Sequence, residues 1–363
     1  MPQFGEDIFL SLDIRLQYIA YRELKSAVVS HQAKSGSLIM VDAKNGEILA
    51  LVNQPSYNPN DVSGYRNSMR NRVVTDAYEP GSTIKPFAVL AALETGRYDQ
   101  ETTIDTSPGY FRVGRKLIQD PINRSTLSLS EAIQKSSQVA IAKLALDLED
   151  HAVFDVLARG GIGSYIGTGL PGEVQGFFSD AELQYPVVRA TLAYGYGLSV
   201  TPLQLASAYV TLANYGEHIP LSIMKGEAKP RGEEAFAAED ARRVIEMMEL
   251  VTSEGGTASA AAVPGYRVAS KTGTARLVGS NGYDDERHVA WFAGALPVSD
   301  PRIVMVVLIN EASAGQVGGG ALAAPVFARV AERSMHLLGV QPDQPALASN
   351  LPQGETVAQG GDR

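Results

Sequence analysis

The chain has 363 residues, of which 45% are hydrophobic and 20% charged, the usage of a soluble globular protein with one large domain or two ordinary ones. Thirty-one basic residues against forty acidic give a formal charge of −9, which argues against nucleic acid or anionic lipid as a general partner. The absence of cysteine excludes disulfides and thiolate chemistry, and five scattered histidines form no His-x-x-x-His pair, which argues against a metal centre.

Ile8-Phe9-Leu10 reads as strand-like. Asp13 then offers an N-cap for a helix whose apolar positions Leu16, Ile19, Ala20, Leu24 and Ala27 recur at helical spacing. Two apolar runs, 38–41 and 48–52, flank Asn45-Gly46 and predict a hairpin. Residues 54–80 are rich in Pro, Asn, Asp and Gly, a long connection of the kind that lines a site. A helical middle section follows: 83–95 ending at Gly96, a capping box at Ser128 to Glu131 opening a helix to about 135, a break at Ser136-Ser137, then 139–148, 201–215 and 240–251. Strand signals return at 266–270, 289–295 and 303–309, before a last helix over 323–338. Strands at both ends with helices between predict an α+β fold, in which the N-terminal hairpin joins the C-terminal strands in one antiparallel sheet. No stretch approaches the roughly eighteen apolar residues of a membrane span and no cleavable leader is visible, so the chain is expected to be soluble.

Three segments carry candidate chemistry. Pro80-Gly81-Ser82-Thr83-Ile84-Lys85 places Ser82 at a helix start and Lys85 one turn later on the same face. Burial and the positive end of the helix dipole would favour a neutral amine there, giving a nucleophile with its base. The same text also fits a capped helix with a surface lysine. In Lys271-Thr272-Gly273-Thr274, strand alternation puts Lys271 and Gly273 on one face and the two threonines on the other, an edge along which a peptide ending in a carboxylate could lie. An ordinary amphipathic strand with a glycine bulge would look alike. Lys135-Ser136-Ser137-Gln138 marks either a helix–helix turn or the wall of a site.

In combination these three segments match the set found in penicillin-binding proteins and β-lactamases. Residues from about 35 to 335 resemble the transpeptidase domain of class B penicillin-binding proteins of the division (septal) type. The resemblance extends to Asn53-Gln54-Pro55-Ser56-Tyr57-Asn58-Pro59-Asn60, to Asn71-Arg72 followed by Glu79-Pro80-Gly81-Ser82-Thr83-Ile84-Lys85-Pro86, and to the Gly195-Tyr196-Gly197 run within 194–204. It implies a penicillin-binding fold, an antiparallel sheet flanked by helices with a large helical insertion. It also implies a serine D,D-transpeptidase without cofactor or metal, cross-linking peptidoglycan stem peptides during division and acylated by β-lactams.

The roles it implies fall on particular residues. Ser82 would attack the penultimate D-alanine with Lys85 as base, and Ser136 would relay a proton to the leaving D-alanine, helped by Lys271. Gln138, Thr272, Gly273 and Thr274 would bind substrate, with an oxyanion hole from the N–H groups of Ser82 and Thr274. An amine of a second stem peptide would accept the acyl group. Two positions depart from the family pattern: Gln138 stands where the family has Asn, and Val317-Gly318 stands where division-type members carry a Tyr pair, which leaves an aromatic wall unfilled.

The resemblance further implies that 1–34 is the remnant of a connection to a pedestal domain, 35–338 the transpeptidase domain and 339–363 a disordered tail. It places the protein at the periplasmic face of the cytoplasmic membrane, anchored by an N-terminal helix outside this chain, with division-complex partners including a septal glycosyltransferase. Two alternatives remain: a D,D-carboxypeptidase or β-lactamase that hands the acyl group to water, and a weakly catalytic penicillin-binding sensor.

Overall fold

The computed structural model describes Gly5 and residues 7–61, 69–226, 232–279 and 282–344. Asp13 caps α1 (Ile14–Ser30), its carboxylate accepting from the Arg15 N–H, and the helix buries all five apolar positions that its periodicity predicts. The hairpin follows as β1 (Ala33–Asp42) and β2 (Ile48–Gln54), antiparallel, with a register shift between Met40 and Val41. Ile8 to Leu10 forms no strand; Leu10 makes one isolated bridge to Met224 and the segment is exposed. Its side chains find no sheet to enter, so strand propensity has nothing to pack against.

A short helix α2 (Arg72–Thr75) and a 3₁₀ turn over Gly81–Ile84 lead into α3 (Lys85–Leu93), every residue of which is buried. Two small sheets come next, β3 (Thr103–Asp105) pairing with β6 (Thr126–Ser128), and β4 (Tyr110–Val113) pairing with β5 (Lys116–Gln119). The helical section comprises α4 (Leu129–Gln134), α5 (Gln138–Asp147), α6 (Ala152–Arg159), α7 (Pro186–Leu192), α8 (Pro202–Ala213) and α9 (Ala238–Glu249). The capping box at Ser128 and Glu131 is present, both hydrogen bonds made.

The chain then returns to the sheet as β7 (Ala269–Gly279), β8 (Gly282–Leu296) and β9 (Ile303–Ala312), and closes with α10 (Gly319–Leu322) and α11 (Ala324–Leu337). Strand order is β2-β1-β9-β8-β7, every pairing antiparallel. The N-terminal hairpin therefore does join the C-terminal strands, Ala33 lying opposite Ala312. Alternation on β8 separates the two faces of the sheet. Phe292 packs on Phe327 of α11 with centroids 4.7 Å apart, while Trp291 points the other way and donates to the Glu79 carbonyl at 3.0 Å. The wholly buried α8 lies against β1, β8 and β9 on one face of the sheet, while α1 and α11 pack against its strands as well. Strand β7 is the edge, and it borders the 3₁₀ turn. The seam between that edge and the helical section holds the sequence-predicted residues.

Candidate active site

Ser82 sits in the 3₁₀ turn and Lys85 begins α3, three residues on, where 3₁₀ geometry eclipses i and i+3. The turn is anchored on several sides. The Thr83 hydroxyl donates to the Pro80 carbonyl at 2.9 Å, the Tyr209 phenol of α8 to the Thr83 carbonyl at 2.8 Å, and the Gly81 N–H to the Gly195 carbonyl at 3.1 Å. Ser82 itself stays partly open.

The break between α4 and α5 brings Ser136 to the same place. Ser136 adopts φ +58°, a left-handed conformation that a side chain with a Cβ enters at a cost of about 1–2 kcal/mol. The turn is held from outside: Lys135 Nζ donates to the Gly255 carbonyl at 2.9 Å, and Gln134 Nε2 to Ser253 Oγ at 3.3 Å. The strained residue presents its hydroxyl to two lysines at once. Lys85 Nζ lies 3.1 Å from Ser136 Oγ and also donates to the Ser136 carbonyl, and Lys271 Nζ donates to Ser136 Oγ at 3.0 Å. Lys85, Ser136 and Lys271 thus meet across α3, the α4–α5 turn and β7, with Ser82 three residues before Lys85 in the adjoining 3₁₀ turn.

Both lysines are fully buried. Burial pushes the Lys85 amine down to about 7, with the carboxylate of Asp120 pulling in the opposite direction. Burial and the neighbouring Lys85 push Lys271 well below the ordinary lysine value. Two ammonium groups around one hydroxyl repel, so protonation of either lysine disfavours protonation of the other.

Lys271 and Gly273 face the helical section, and the threonines face away, as alternation predicts. Gly273 packs so closely on the Ser82 turn that a Cβ there would lie 2.5 Å from the Pro80 carbonyl oxygen. Thr272 is buried with its hydroxyl 3.0 Å from Thr257 Oγ1, whereas Thr274 is exposed and its hydroxyl accepts from the Gly319 N–H at 3.3 Å. The backbones of Gly81 and Thr274 are neighbours, a Cβ on Gly81 falling 3.4 Å from Thr274 N.

The Gln138 side chain lines a cleft of about 410 Å³ with Lys116, Tyr194, Tyr196, Arg276 and Tyr283. Its backbone N–H donates to Asp120 at 2.6 Å, and the contacts of Lys85 go to Ser136. A cavity of about 470 Å³ lined by Arg159, Tyr165 and His218 contains none of the predicted residues.

Sequence reasoning missed three features. Asp120 accepts from Ser137 Oγ, from Gln138 N and from Val139 N at 3.2 Å. Glu79 accepts from Tyr283 at 2.8 Å and from the Gly197 N–H at 2.9 Å; its other oxygen is buried with no hydrogen-bond partner among the described residues, and burial raises its pKa. Aromatic lining, expected to be lacking at Val317 and Gly318, comes from elsewhere: Tyr196 packs edge-on against Tyr194 and Tyr283, with centroids 5.7 and 5.6 Å away. Gly318 has φ +117° and a Cβ there would approach Thr274 Oγ1 to 3.1 Å, so this backbone does not accept a tyrosine without strain. The spacing in Glu79-Pro80-Gly81-Ser82 and Tyr194-Gly195-Tyr196-Gly197 was the available signal for Glu79 and the tyrosines; for Asp120 there was none.

The penicillin binding protein transpeptidase domain matches residues 36–332 of this sequence. The chain is 43% identical over 342 residues to the peptidoglycan D,D-transpeptidase FtsI of Escherichia coli K12, covering 94% of this chain and 58% of the relative's length. It is 41% identical over 347 residues to the probable peptidoglycan D,D-transpeptidase PenA of Neisseria flavescens, covering 95% of this chain and 86% of that protein. The solved transpeptidase domain of Burkholderia pseudomallei penicillin-binding protein 3 superposes with a TM-score of 0.85 at 37% identity, over 94% of this chain and all of that one.

Proposed function

Because the chain belongs to the penicillin-binding protein transpeptidase family, we propose that it is a serine D,D-transpeptidase that cross-links peptidoglycan stem peptides during division and is acylated by β-lactams. The observation that carries this reading is the single hydroxyl of Ser136 shared by two buried lysines beside the Ser82 turn.

The donor peptide lies along the open edge of β7 as an added strand, its terminal carboxylate at Lys271 and the hydroxyl of Thr274. That negative charge draws the available proton to Lys271 and, by repulsion between the lysines, leaves Lys85 neutral. Lys85 then takes the proton of Ser82 Oγ as the oxygen attacks the carbonyl carbon of the penultimate D-alanine. The developing oxyanion is met by the N–H groups of Ser82 and Thr274. Collapse breaks the C–N bond while Ser136 gives its proton to the leaving amine and regains one from a lysine. The ester on Ser82 is then attacked by the acceptor amine, whose proton returns through the same relay.

The transpeptidase unit, expected over 35–338, also takes in α1, which packs on β1, β2 and α11, and the first residues of the expected tail, where Asp343 accepts from the Arg267 N–H at 2.7 Å; 345–363 lie outside the described residues. The working location is the periplasmic face of the cytoplasmic membrane, beside a septal glycosyltransferase. Acylation by a labelled penicillin, mapped by peptide mass, tests the assignment: label on Ser82, lost in Ser82→Ala, is expected, and label retained by the variant refutes it. Release of D-alanine from a pentapeptide that increases with an amine acceptor identifies the transpeptidase. Release independent of acceptor marks a carboxypeptidase, rapid β-lactam hydrolysis a β-lactamase, and neither a sensor.

A further inference from the structure

Asp120 is a carboxylate that the reaction above does not use. It follows β5, and its Oδ2 accepts from the Ser137 hydroxyl while Oδ1 accepts from the N–H groups of Gln138 and Val139. Ser137 Oγ in turn accepts from Ala140 N at 2.9 Å. One side chain therefore grips three consecutive residues directly after Ser136, the residue whose left-handed backbone needs outside support.

The charged groups around Lys85 are few. Lys271 faces it from β7 across the Ser136 hydroxyl. Arg159 of α6 is paired with Glu94 beyond the other end of α3, the buried face of α9 is apolar, and the Tyr209 phenol of α8 is kept neutral by burial. Among the described residues Asp120, bonded to Ser137 next to the Ser136 that Lys85 contacts, is the anion whose field reaches the amine. A negative charge nearby favours an ammonium.

We propose that Asp120 is a positioning residue for acylation: it clamps the turn that presents Ser136, and its charge beside that turn shifts the pH at which acylation begins. The inference rests on the reading of Lys85 as the base.

The test measures acylation by a chromogenic β-lactam in stopped flow from pH 5.5 to 9, with the whole chain. The parent is expected to rise with a midpoint near 7. Asp120→Asn keeps an oxygen for the two N–H groups and an amide to meet Ser137, but loses the charge. Its midpoint moves down by about half a pH unit or more, with a plateau lowered only a few-fold. Asp120→Ala loses the clamp as well, and its plateau falls at least about tenfold while thermal melting confirms a folded chain. An Asn variant whose profile overlays the parent, or moves to higher pH, overturns the electrostatic role. An Ala variant with the plateau of the Asn variant overturns the clamp. A parent that is not acylated at any pH overturns the reading of the site and this inference with it.

Discussion

Substituting Gly273 by alanine probes the contact on which the whole site depends, the packing of the β7 edge against the turn that carries Ser82. The added methyl would lie 2.5 Å from the Pro80 carbonyl oxygen, 3.0 Å from Thr83 Cγ2 and 3.2 Å from Trp291 Cβ, where ordinary contact begins at 3.4 Å. Neither side has room to give cheaply, since the Pro80 oxygen is backbone and already accepts from Thr83. The strand and turn must separate by roughly 0.7–0.9 Å, and overpacking of this kind costs about 1–3 kcal/mol. Lys271 moves with the strand and Ser82 with the turn, so the proposed nucleophile and the proposed carboxylate anchor drift apart. A misplacement near 1 Å costs on the order of a hundredfold in rate, or about 2.7 kcal/mol of barrier. Stopped-flow acylation separates the chemical step from initial binding, and a melting curve reports the folding cost. Gly273→Ala should acylate about a hundredfold more slowly, melt a few degrees lower and lose less in binding than in chemistry. A variant acylating within threefold of the parent would show that this contact does not set the nucleophile geometry.

Ser136→Gly releases the left-handed backbone but deletes the shared hydroxyl, so it should melt at or above the parent while acylation falls at least about tenfold; a fully active glycine variant would remove Ser136 from the relay. Glu79 has a raised pKa in the fold, so the folded chain holds its proton more tightly than the unfolded one, and its ionisation destabilises the fold once pH exceeds the unfolded value. Glu79→Gln should therefore melt higher than the parent at pH 8, with the gain shrinking as the pH falls towards 4; a gain that persists at low pH would point to packing instead of charge. Gln138→Asn shortens a side chain that now lines the cleft. If the shorter amide regains one hydrogen bond to substrate, acylation rises by roughly five- to a hundredfold, since such a contact is worth about 1–3 kcal/mol; an equal or slower rate would mean the pocket is built around glutamine.

Much of this architecture was legible because its signals are local. Asp13 and the five apolar residues that follow, the Asn45-Gly46 turn, and the reciprocal pair Ser128 and Glu131 each specify their element within a few residues. That the N-terminal hairpin joins the C-terminal strands in one antiparallel sheet followed from where the strands fall in the chain; their order did not. The small sheets escaped notice because strands of three or four residues, such as Thr103–Asp105, are too short to show a period of two. Strand β7 starts at Ala269, later than the pattern from Tyr266 suggested, because Tyr266 instead closes a bridge with Val263. At the site, the three motifs were visible but their meeting point was not. That the break carries a left-handed residue at Ser136, or that Asp120 holds the three residues after it, depends on contacts between distant segments. No periodicity encodes them.

The pairing of Ala33 with Ala312 also sets a schedule. A ribosome adding about 5–20 residues per second needs roughly 15 to 55 s to bring β9 into existence after β1 is complete. For that interval the nascent hairpin carries an apolar strand with an open edge, the arrangement most prone to pair with another chain. Lys271 and its strand are made late in the same interval, so the nucleophile turn exists well before its partner lysine. A chain halted before β9 would hold the β1–β2 hairpin and the β7–β8 pair that faces the Ser82 turn, but not the strand that joins them into one sheet.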